Sequence, residues 1–161
     1  MKYSEARPLI RSGDLLAFSE GDWKSWHGIK ISLVRMFTRS TYSHVALAWV
    51  VGGRVFALEA VVPKLRIYPL SQLGSFYHIP MKAQWKEETE EFALSKIGVE
   101  YSQTVAIQAF FEPLDDGTVQ ECAAYVREVL LIDDINLGNR AVPDSIVFEA
   151  QRRGNPLILV E

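Results

Sequence analysis

The chain has 161 residues, 48% of them apolar, and a formal net charge of -3. That length supports one compact domain over residues 1–161 and is too short to argue for two. The mildly acidic balance gives no electrostatic reason to bind nucleic acid, which is usually met by a basic face or stripe.

A single cysteine, Cys122, excludes an internal disulfide. The three histidines, His27, His44 and His78, lack the Cys/His spacing of a structural zinc site, so no metal and no cofactor is expected. The opening stretch MKYSEARPLIRSGD lacks the apolar core of a secretory signal. No apolar run approaches the roughly 20 residues of a spanning helix. The expectation is a chain that is cytoplasmic as synthesised.

In chain order, SGDLLAFSEGD reads as a short buried strand between Gly and Asp turn signals. WKSWHGIKISLVRMFTRS carries Trp26, Ile29, Leu33, Val34 and Phe37 near helical spacing, with Lys30, Arg35 and Arg39 among them. This mildly basic amphipathic helix is read as core packing with a solvated edge, in preference to peripheral membrane contact. SHVALAWVVGGRVFALEAVV is two β-rich runs around Gly52 and Gly53, a hairpin signal because Gly supplies the positive φ of tight turns. KLRIYPLS and SFYHIPM follow as strands, with Pro69 and Pro80 favouring edges or ends. WKEETEEFALSKIG has the charge order and the late Gly98 of a helix. YSQTVAIQAFFE, TVQECAAYVREVL and VPDSIVFEA read as further helices, and PLILVE as a last strand. Strands early and helices late predict an α+β fold, an antiparallel sheet against a helical layer.

The hairpin has a chemical consequence. If Gly52 and Gly53 form a two-residue loop, Val51 pairs with Arg54, and counting back sets Ala46 opposite Glu59 and His44 opposite Val61. His44 and Glu59 then share a face as diagonal neighbours, roughly 7–8 Å apart at Cα. A four-residue loop keeps that parity and a three-residue loop breaks it. Taken alone, each is ordinarily a structural residue; together they are a carboxylate orienting an imidazole, the arrangement of a general base. Ala46, Ala48 and Ala57 make their face the small-residue one, open to close approach by another element; Val45, Leu47, Trp49, Phe56 and Leu58 make the opposite face bulkier.

Thr118 and Glu121 have the spacing of a capping box, which puts Cys122 in the first turn of its helix. Free N–H groups and the helix dipole there lower a thiol's pKa. Cys122 also ends an apolar stripe with Tyr125, Val126, Val129 and Leu130, which fits a small buried filler equally well. The two readings meet because the stripe aims the thiol, and Cys122 is expected to be catalytic only if the helix lies across the small-residue face, close to His44 and Glu59.

SGDLLAFSE, ISLVRMFTRSTYSHVAL, FALEAV, GVEYSQ, ECAAYVREVL and VPDSI, in that order, resemble the circularly permuted NlpC-type papain-fold cysteine peptidases and amidases of the YiiX-like group. The resemblance covers nearly the whole chain and implies a papain-like sheet or partly open barrel packed on the cysteine helix. It implies Cys122 as nucleophile, His44 as base, Glu59 as orienting carboxylate, and Tyr101 beside the thiol as a substrate or oxyanion group. Ala123 departs from the Ser that relatives commonly carry after the cysteine.

The function implied is cleavage of an amide bond through a thioacyl intermediate, in a murein peptide or another small peptide. Such a wall substrate would need delivery by lysis, a phage particle or a secretion device. The alternatives are an acyl-lipid hydrolase or acyltransferase with the same triad, and a non-catalytic binding module that keeps the thiol as packing. His27 and His78 are read as structural, with His78 the reserve for the third catalytic group should Glu59 face away from His44.

Overall fold

The computed structural model describes residues 1–19, 41–61, 64–98 and 121–161. Its centre is the expected hairpin. Gly52 and Gly53 adopt φ of 56° and 72°, the left-handed pair that a two-residue turn of this type requires. The turn joins β2 (His44–Val51) to β3 (Arg54–Val61), with Val51 opposite Arg54 and Leu47 opposite Leu58.

Around the hairpin lie β1 (Leu15–Phe18), β4 (Lys64–Pro69), β5 (Phe76–Ile79) and β6 (Ile158–Val160). They form one open six-stranded sheet in the order β4-β3-β2-β1-β5-β6, and every pairing is antiparallel. The helices are α1 (Tyr3–Ala6), α2 (Glu87–Ser95), α3 (Glu121–Ile132) and α4 (Pro143–Arg152). The α+β expectation holds, and the sheet is open, with β4 and β6 as its edges. Pro69 ends edge strand β4, where a missing N–H costs no ladder bond.

Strand alternation divides the core into two layers. On one face Leu15, Ala17, Val45, Leu47 and Leu58 pack with Ala123, Val126, Val129 and Leu130 of α3 and Ile146, Val147 and Ala150 of α4. On the other, Leu16, Ala46, Ala48 and Ala57 pack with Ala6, Ile10, Leu70, Phe76 and Val160. This corrects the expected placement of the cysteine helix. It rests on the bulky face, where its Val and Leu stripe interdigitates with Val45, Leu47 and Leu58. The small-residue face is taken by α1 and the residues after it, which the alanines let approach closely.

Three polar ties fix the helical layer. Glu90 of α2 accepts from Nε1 of Trp49 at 3.0 Å and of Trp85 at 2.7 Å. Asp133, after α3, accepts from Thr89 Oγ1 and from the Trp85 N–H, both at 2.7 Å. Asp144, in the first turn of α4, accepts from the backbone N–H groups of Thr41 and Tyr42, each at 2.9 Å, and so holds the chain just before β2. Among the described residues no helix is long and apolar enough to cross a membrane. The expected helices over 23–39 and 101–112 and the Thr118 cap lie outside the described residues, as do His27 and Tyr101.

Candidate active site

His44 and Glu59 meet as the register arithmetic requires. His44 Nε2 lies 3.0 Å from Glu59 Oε2. Glu59 is buried, its side chain 3% exposed, while that of His44 is 17% exposed. Phe18, opposite His44 on β1, packs its ring on the imidazole with centroids 5.6 Å apart. Two neighbours therefore set the ring plane and leave one edge for Nδ1.

Cys122 comes from the other layer. It is the second residue of α3, partly buried, and packs at the end of the apolar stripe as the sequence suggests. His44 is the first residue of β2, so its ring stands at the margin of the sheet. A helix on the opposite face can reach it there, and His44 and Cys122 lie close enough for each to shift the other's pKa. With Nε2 engaged by Glu59, Nδ1 is the ring nitrogen left for another partner. The backbone N–H groups of Val45 and Ala123 add to the pull that lowers the thiol.

The electrostatics follow from these contacts. Burial alone pushes the Cys122 thiol up, but His44 and the two N–H groups outweigh it, and the pKa falls below the usual 9.0. Burial likewise disfavours the imidazolium, yet Cys122 and Glu59 together raise His44 to about 10. Burial also raises Glu59, and His44 and Arg66 overcome it, leaving the carboxyl below its ordinary value. Each shift favours the charged form of its group: the thiolate at Cys122, the imidazolium at His44 and the carboxylate at Glu59.

Arg66, not anticipated from the sequence, completes that row. It is the cross-strand partner of Glu59 on β4. Its Nε donates to Glu59 Oε1 at 2.8 Å and its Nη2 lies 2.7 Å from the same oxygen. The signal was available: Val61 opposite Lys64 sets Glu59 opposite Arg66 by the same counting used for the hairpin.

His78 takes no part. It is 2% exposed and its Nε2 lies 2.8 Å from Asp14 Oδ2. Asp14 also accepts from the N–H groups of Arg11 and Met81. His78 and Asp14 are a buried structural pair, and because Glu59 faces His44 the reserve role for His78 falls away.

No family model matches the chain, and no curated protein does. Among solved structures it is similar to one described as the metalloprotein yiiX from Escherichia coli O157:H7, with a TM-score of 0.55 and 18% identity over 80% of this chain and 69% of that one. At that identity the likeness is one of fold: the chain has a YiiX-like α+β architecture.

Proposed function

We propose that the protein is a cysteine hydrolase of the permuted NlpC-type papain-like kind, with Cys122 as nucleophile, His44 as acid and base, and Glu59 as the group that orients His44. The observation that carries this reading is the His44–Glu59 hydrogen bond, with Cys122 near enough to His44 for its thiol to be lowered by it. A buried thiol serving only as packing needs no imidazolium partner, whereas a nucleophile does.

The Cys122 thiolate attacks a carbonyl carbon, and the C=O electron pair moves to oxygen. The N–H groups beside the sulfur, including that of Cys122 itself, are the available oxyanion donors. Collapse breaks the C–N bond as the imidazolium gives its Nδ1 proton to the departing amine, leaving a thioester and a neutral His44. His44 then takes a proton from water, the hydroxide oxygen bonds to the acyl carbon, and the C–S bond breaks to restore the thiolate and imidazolium. Tyr101 would join the oxyanion group, and peptide amides are the substrate class that the sequence resemblance favours.

The YiiX neighbour is described as a metalloprotein. Among the described residues no three His, Cys, Asp or Glu side chains are arranged to hold a metal ion. Glu59 Oε2 faces His44 and Oε1 faces Arg66, so these donors turn toward each other and not toward a common point. The described residues do not fit a metal centre, and every step above uses protein groups.

Substrate class is tested by incubating the protein with muropeptides and, separately, with phospholipid vesicles, using Cys122→Ala as blank. Release of new amino groups from muropeptides, absent in the blank, is the expected result. Fatty acid release without peptide cleavage would move the reading to lipid acyl transfer or hydrolysis. Equal activity in the blank would remove Cys122 as nucleophile.

A further inference from the structure

We propose that Arg66 is a positioning residue that keeps Glu59 ionised and turned toward His44 throughout a cycle in which His44 alternates between charged and neutral. The inference rests on the hydrolase reading and concerns a residue which that mechanism does not use.

A carboxylate that is 3% exposed is costly unless paired. While His44 is an imidazolium, it supplies the pairing charge. Once its Nδ1 proton has gone to the leaving amine, His44 is neutral and supplies none. Glu59, left alone in the acyl-enzyme, would become a stronger base and take a proton from solvent. That spoils the second half of the reaction by losing the charge that orients His44.

Arg66 removes this weakness because its charge does not titrate in the working range. Nε and Nη2 both engage Oε1, which leaves Oε2 for His44. The guanidinium side chain is itself 46% exposed, so a hydrated cation balances a buried anion and no second desolvation cost arises. The ring of Tyr68, 4.5 Å from the guanidinium carbon, holds it flat over the strand. Among the described residues the charged groups facing Glu59 are His44 from β2 and Arg66 from β4, with Cys122 of α3 beyond His44. An ordinary cross-strand ion pair would steady the sheet edge alone; this one ends on the carboxylate whose other oxygen aims the base.

The test uses the full chain and iodoacetamide as the probe of Cys122, across about pH 4 to 9, with thermal melts in parallel. Arg66→Met is expected to move the acid limb of the alkylation profile up by about one pH unit or more, as loss of a neighbouring opposite charge does. Arg66→Lys should recover much of the shift. In a Glu59→Gln background, Arg66→Met should add no further shift, because the charge it balances is gone. Superimposable acid limbs for wild type, Arg66→Met and Arg66→Lys, with only the melting temperature lowered, would overturn the proposal and leave a sheet-edge ion pair. A wild-type thiol that reacts only after denaturation would overturn the hydrolase reading and this inference with it; that outcome is seen before any variant is made.

Discussion

Replacing His44 with alanine is expected to cut the alkylation rate of Cys122 at about pH 6 by tenfold or more, and hydrolysis by about 10²–10⁴-fold, the usual worth of a positioned acid and base. The sign follows from the contacts. In the native protein His44 lowers the thiol's pKa against the opposing push of burial. Without the imidazole the burial remains and its main counterweight is gone, so the thiolate forms only at alkaline pH. Iodoacetamide rates across pH, read by intact mass, check this directly. The wild-type profile should stay high from below neutrality until His44 loses its proton near its pKa of about 10. An unchanged profile in His44→Ala would mean that the helix N–H groups alone activate the thiol.

The largest loss of stability is expected at Asp14, outside the site. Its carboxylate accepts from His78, the Arg11 N–H and the Met81 N–H at 2.8, 2.9 and 3.0 Å. Asp14 and His78 are each 2% exposed. Asp14→Ala strips two buried groups, His78 and the Met81 N–H, and the part-buried Arg11 N–H of the partner that ties the chain before β1 to β5 and the segment beyond it. Breaking one side of such a pair costs about 3–5 kcal/mol, measurable by urea unfolding. The alkylation profile of the protein that still folds should match wild type, since Asp14 does not touch Cys122, His44 or Glu59. A loss below about 1 kcal/mol would show that the pair is replaceable by solvent.

The same protonation shifts explain why a stability curve is a poor reporter of the site. His44's folded pKa of about 10 exceeds its ordinary 6.5, so its contribution is complete below 6.5 and fades as pH rises through 10. Cys122 has the opposite sign: its contribution is complete above 9.0 and fades as pH falls through the lowered folded value. The two contributions have opposite signs, so part of the pH dependence of stability cancels between them.

What could be read in advance was whatever depended on local periodicity. Two adjacent glycines set the hairpin register, and the register brought His44 to Glu59 across fifteen residues. The apolar stripe placed Cys122 at one end of a helix that faces the sheet. The face chosen by that helix was not legible, because it depends on how side-chain volumes from distant segments fit. Val45, Leu47 and Leu58 mesh with the stripe of α3, while the alanines opposite admit Ala6 and Ile10. Approach from the bulky side still reaches His44, since a residue at the first position of a strand is accessible around the sheet margin. Asp144 was noted only as part of VPDSI; its hold on Thr41 and Tyr42 joins positions about a hundred apart, which no local pattern encodes.

The central claim is that Cys122 rests as a thiolate paired with a protonated His44. It is tested most directly by the ultraviolet absorbance of the thiolate in the folded protein, titrated against Cys122→Ser. The account predicts a thiolate signal already present at about pH 6, absent from Cys122→Ser, and shifted to alkaline pH in His44→Ala. A signal that appears in the wild type only near the ordinary thiol pKa of about 8.5 would contradict it.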